Sequence, residues 1–123
     1  MAFRDMFRRF QQECETSDHH KENTLQTHYY KASVDHVFQS VESLIKANGY
    51  AIQTVSKEHG EIMAGKGKVF LVSTILVLRP FEVAVDFKLT TDKGSLTGAY
   101  PKLRGEIEEF YKKLDKDLTL VKR

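Results

Sequence analysis

Five histidines, one cysteine and one glycine-lysine run are the residues whose types could carry chemistry in this chain. The histidines stand at 19, 20, 28, 36 and 59, and Asp18, His19, His20 and Glu22 crowd together in a way that suggests a metal cluster. Adjacent side chains in a polar stretch point apart, however, and there is no HExxH, no CxxC and no pair of histidines three or four apart on a helix. No metal or other cofactor is therefore expected, and His28 and His36 read as boundary or surface residues. Cys14 would need a base beside it to act as a nucleophile, and it falls on an apolar face where a packed cysteine is the simpler account. Gly65-Lys66-Gly67-Lys68 lacks the GxxxxGK[ST] spacing and the following helix that a phosphate loop requires. It reads as a basic connection between strands. No GxSxG is present, so the serines carry no hydrolase signature. No catalytic residue is expected.

The elements that position these residues make one domain. A chain of 123 residues with 41% hydrophobic residues has the size and apolar content for a single core. A net charge of +2, with both signs interspersed, draws phosphate backbones weakly and disfavours nucleic acid as a partner. A lone cysteine and an N-terminus charged at Arg4, Asp5, Arg8 and Arg9 point away from secretion, so a cytoplasmic location is expected.

Residues 1–24 read as a short amphipathic helix followed by a polar linker, and residues 25–123 as one α+β domain. Phe3, Met6, Phe7, Phe10 and Cys14 share one helical face. The stretch from Glu13 to Asn23 has no periodicity and is expected to be a mobile connector. Leu25 to Ala32 is a first strand. A helix follows, N-capped by Ser33, carrying Val34, Val37, Phe38, Val41, Leu44 and Ile45 on one side and ending at Gly49. Four strands come next, at Tyr50–Lys57, Glu61–Ala64 (weakened by Gly65 and Gly67), Val69–Leu78 and Phe81–Thr90. Asp92-Lys93-Gly94 is a turn, and Ser95 to Thr97 a possible short strand. Pro101 opens a last helix whose apolar face runs through Leu103, Ile107, Phe110, Tyr111, Leu114, Leu118 and Val121. The order β-α-β-β-β-β-α implies an antiparallel sheet of about five strands with two long helices on one face.

Such a sheet should be apolar on the helix side and polar on the other. Phe81–Thr90 alternates that way, but Val69–Leu78 is apolar in both rows. With a two- or four-residue loop at Arg79-Pro80, Leu78 opposes Phe81, and Val69, Leu71, Ile75 and Val77 lie with Ala84 on the side away from the helices. A three-residue loop exchanges the two rows, because a one-residue slip turns every side chain over. Burying four such side chains is worth about 6–12 kcal/mol at 1.5–3 kcal/mol each, so a cover is expected. It would come from the N-terminal helix through Phe3, Phe7 and Phe10, from a second copy in a homodimer, or from an apolar ligand or protein partner.

The stretch NGYAIQTVSKEHGEIMAGKG, with Gly-Tyr at a helix end, a turn and then GEIMA leading into long strands, resembles domains of the TATA-binding-protein-like fold. Within that fold the chain is most similar to small uncharacterised bacterial families. The resemblance spans about Leu25 to Val121 and implies a curved antiparallel sheet with two helices on its convex side. It does not imply DNA binding, since the nucleic-acid readers of that fold are duplicated, and Glu82 and Asp86 would repel phosphates here.

The function expected from these features is non-enzymatic binding through the open sheet face, by self-association or partner docking. Two other readings compete with it. One is a small-molecule binder or enzyme with a pocket between sheet and helices, served by the hydroxyls of Tyr29, Tyr30, Tyr50, Tyr100 and Tyr111. The other is weak membrane contact through the N-terminal helix.

Overall fold

A computed structural model describes residues 13–91 and 100–122. Within these described residues, seven antiparallel strands and two long helices make an α+β architecture. In chain order these are β1 (Glu13–Glu15), a 3-10 turn (Asn23–Leu25), β2 (His28–Lys31), α1 (Val34–Ala47), β3 (Ala51–Ser56) and β4 (Glu61–Lys66). They are followed by β5 (Val69–Arg79), β6 (Glu82–Thr91), α2 (Tyr100–Asp117) and β7 (Thr119–Lys122). The sheet order is β3-β4-β5-β6-β2-β7, with β1 also against β6. The expected N-terminal helix, its Phe3, Phe7 and Phe10, and the expected turn and short strand at 92–97 lie outside the described residues.

α1 forms where its sequence says it should. Ser33 caps it by accepting a hydrogen bond from the His36 amide, Asp35 sits in the positive first turn and Lys46 in the last. Gly49, at φ 87°, takes the left-handed conformation that stops the helix. Val37, Phe38, Val41, Leu44 and Ile45 are its buried stripe. α2 buries Leu103, Ile107, Phe110, Tyr111 and Leu114 on the same side of the sheet.

Three expectations are corrected at the ends of the sequence. Glu13–Glu15, placed in the helix and the connector, is instead a strand pairing with Lys88–Thr90. β1 and β2 lie end to end along β6, one opposite residues 88–90 and the other opposite 83–85. The stretch between them is a closed loop, in which the Ser17 amide bonds the Leu25 carbonyl and the Thr27 amide bonds the Ser17 carbonyl. The last helix ends at Asp117, and Thr119–Lys122 turns back as β7 beside β2, so Val121 is an exposed strand residue. β-branched Thr119 and Val121 suit a strand better than a fraying helix end.

The central pair settles which row of β5 faces the helices. Ile75 opposes Val85, Leu76 opposes Ala84 and Val77 opposes Val83, and a register shift then brings Arg79 opposite Glu82. This bulge supplies the odd residue that a two-residue turn lacks, so the parity is that of the three-residue loop. Val69, Leu71 and Ile75 therefore point to the helices with Val83, Val85, Phe87 and Leu89; Leu71 and Ile75 are buried in the core and Val69 packs at its margin. The placement of Val69, Leu71, Ile75 and Val77 on the uncovered side is thus overturned. Ala84 alone of that set lies there, buried between Leu76 and Tyr29 of the neighbouring strands. The row on the uncovered side is Phe70, Val72, Thr74 and Leu76, and Leu78 falls at the register shift.

Candidate interaction surface

β5 outruns its neighbour. β4 begins at Glu61, opposite Thr74, and the last contact on that side is the Ile75 amide bonding the Gly60 carbonyl. Gly60 is required there, because a Cβ would sit 2.3 Å from the Ile75 carbonyl oxygen. From Leu76 onward β5 is paired with β6 alone among the described residues. The overhang exposes apolar side chains on both faces: Leu76 is 57% exposed on the uncovered side and Val77 49% on the helix side, and Leu78, at the register shift, is 46% exposed. At the turn, Phe81 is 64% exposed and has φ 62°. That left-handed conformation costs a side-chain-bearing residue about 1–2 kcal/mol. The turn is held by Arg79 to Glu82 (3.1 Å) and by the Ala32 amide on the Phe81 carbonyl.

The middle of the same side is a shallow trough of about 320 Å³. Met63 and Val72, half-buried, make its floor, and Glu15, Glu61, Asp86 and Lys88 stand around it. Lys88 is held by Glu13 at 2.8 Å, and that hydrogen bond raises its pKa. Asp86 accepts from Thr16 (2.6 Å) and Thr27 (2.7 Å), which pins the loop between β1 and β2 to the sheet.

A buried polar cluster lies on the helix side. His28 is 3% exposed, its Nδ1 is 2.9 Å from Asp115 of α2, and Tyr30 donates to the same carboxylate at 2.7 Å. Tyr111 donates to the Val85 carbonyl at 2.7 Å and sits 3.1 Å from Thr16 Oγ1. Burial pushes the Tyr111 pKa well up. The other tyrosines are engaged in the same manner, Tyr29 with Asp18, Tyr50 with Glu106 and Tyr100 with Glu22. The hydroxyls that a ligand pocket between sheet and helices would use are thus bonded to the chain's own acceptors.

The remaining chemical candidates are dispersed. His20 accepts from the Glu22 amide in a local turn, and His59 pairs with Ser56. No group of three metal-ligating side chains occurs among the described residues. Cys14 is 1% exposed, and burial first of all pushes its thiol up to about 11, which leaves almost no thiolate at neutral pH. Lys66 of the glycine-lysine run bonds Glu106 and the Asn48 carbonyl and lies over the Tyr50 ring. These are packing roles. No helix among the described residues is long and apolar enough to cross a membrane.

Leu76, Leu78 and Phe81 were not singled out from the sequence, although the signal was present. Both rows of β5 are apolar, and only the bulge beside Pro80 decides which one stays uncovered. No protein-family model matches this chain, and no curated protein matches it.

Proposed function

We propose that this protein is a non-enzymatic binding module whose recognition element is the overhanging end of the β5–β6 hairpin. Its partner is an apolar protein surface, in the simplest case a second copy of the chain. One observation carries the reading: Leu76, Val77, Leu78 and Phe81 gather at one hairpin end, on both of its faces, and each is between 46% and 64% exposed. Full burial of such side chains is worth about 1.5–3 kcal/mol each, so four half-wet ones leave several kcal/mol unused by folding alone. A turn that holds a phenylalanine outward in a disfavoured conformation adds a cost that folding does not require, as functional sites do. The carboxylates of Glu15, Glu61 and Asp86 on the same side argue against nucleic acid. The buried free thiol suits a cytoplasmic setting.

Sedimentation velocity over a concentration series tests this reading. Self-association is expected for the natural chain and its loss in Leu76→Lys with Phe81→Ser, the far-UV spectrum being unchanged. A strict monomer whose solubility and melting temperature are the same in both chains removes the proposal.

A further inference from the structure

The trough on the uncovered side and the hairpin end share a face but not residues, and the trough has its own chemistry. Its floor is apolar, through Met63 and Val72, with Phe70 on the same row of β5 exposed by 38%. Its rim is anionic: Glu15, Glu61 and Asp86 outnumber Lys88, which Glu13 already holds. An occupant should therefore be apolar and cationic at once. The chain carries such a segment immediately before β1, in the sequence Phe3-Arg4-Asp5-Met6-Phe7-Arg8-Arg9-Phe10. It has four large apolar residues and three arginines against one aspartate. We propose that the trough is the docking site for this segment of its own chain.

Reach supports the assignment. Described structure begins at Glu13, whose partner is Thr90 of β6, and β5 is the next strand over. Two strand spacings are about 10 Å, and three extended residues span about the same distance. Phe10 thus comes within reach of the floor at β5, and residues 3–9 have more chain than they need. The arginines meet carboxylates at the edge of an apolar surface, where a guanidinium keeps its charge and its fork of donors. Docked there, the segment would cover Phe70 and Val72 and leave Leu76, Leu78 and Phe81 free. This inference shares the face of the proposed binding module but not its test, since hairpin-end variants probe one and trough variants the other.

The test uses the full chain with a nitroxide on Thr54→Cys, exposed on β3 opposite Met63 and next to the trough without lining it; Cys14 is buried with a raised pKa and will not compete for the label. Amide signals of residues 3–7 are expected to be strongly attenuated in the natural sequence. Attenuation should fall severalfold in Phe7→Ser/Arg8→Glu, which has the same tether length, and also in Glu61→Lys. High salt should reduce it as well. Equal attenuation in the natural sequence and in Phe7→Ser/Arg8→Glu would mean an undocked tether and overturns the proposal. Mixing spin-labelled chains with separately isotope-labelled, unlabelled-cysteine chains identifies the donor: broadening that appears in the mixture assigns the segment to a second copy and overturns docking in cis.

Discussion

The ring of Tyr111 lies flat on the imidazole of His28, with centroids 3.7 Å apart and planes 5° from parallel. Through this stack, and through Asp115 bonding both His28 and Tyr30, α2 is locked to β2 by side chains rather than by backbone. Tyr111→Phe keeps the stack and loses one hydroxyl, so it should cost about 1 kcal/mol. Asp115→Ala removes the carboxylate that His28 and Tyr30 share and should cost about 2–3 kcal/mol. Urea denaturation of the two variants checks the order, and Asp115→Ala being the milder change would refute this account.

The parity of β5 makes neighbouring residues respond in opposite ways. Leu71→Ala and Ile75→Ala remove buried side chains and should each cost about 2–5 kcal/mol. Leu76→Ala and Leu78→Ala act on half-exposed side chains and should stay near or below about 1 kcal/mol in the monomer. Equal costs across the four would mean that the register is wrong.

Phe81 sets stability against binding. Phe81→Gly suits φ 62° and relieves the turn, so the monomer should gain about 0.5–1 kcal/mol. The same variant removes the most exposed large apolar group among the described residues and should weaken association. Thermal melting of dilute protein, paired with sedimentation, reads both effects; a loss of monomer stability would contradict the strain argument.

Cys14 should be nearly inert in the folded protein. Burial and a pKa raised to about 11 both suppress its thiolate. Alkylation with iodoacetamide near pH 8 is expected to be at least about a hundredfold slower in native protein than in denaturant. A native rate like that of a free thiol would show the β1 region to be open.

Acid should loosen the loop between β1 and β2 first. The Tyr100 hydroxyl, at 2.7 Å, holds the Glu22 carboxyl below its ordinary pKa, and the Arg104 guanidinium, at 2.6 Å, adds to this. A carboxyl lowered in the folded state stabilises the fold above its unfolded pKa of about 4.3, and that contribution is lost as pH falls through the lower folded value. Denaturation midpoints of the natural chain should thus drop below pH 4 more steeply than those of Glu22→Gln. Because the pair is partly exposed, high salt should shrink the difference.

α1 was legible from the sequence because its cap, stripe and terminator all agree within one segment. The strands β3 to β6 were legible from their lengths and turns, and so was the helix-facing row of β6; that of β5 was not. Which side Leu71 faces depends on one extra residue near Arg79-Pro80, a local geometry that apolar content cannot encode when both rows are apolar. Glu13–Glu15 was missed for a related reason. Three residues with two carboxylates have no strand pattern of their own, and they pair because β6 runs past the end of β2. The tyrosine hydroxyls looked available only because their acceptors, Asp115, Glu106 and Glu22, lie far away in sequence.

The length of β5 beyond β4 bears on how the protein behaves when crowded. Residues 76–79 offer a greasy, one-sided template to any extended chain that drifts by, which is the start of fibrous aggregation. Three features keep that template short: the sidestep before Arg79, the charge on Arg79 itself, and the ring of Pro80, which has no amide hydrogen to share. A chain in which this corner was straightened and its arginine neutralised should therefore precipitate during expression while folding to the same domain.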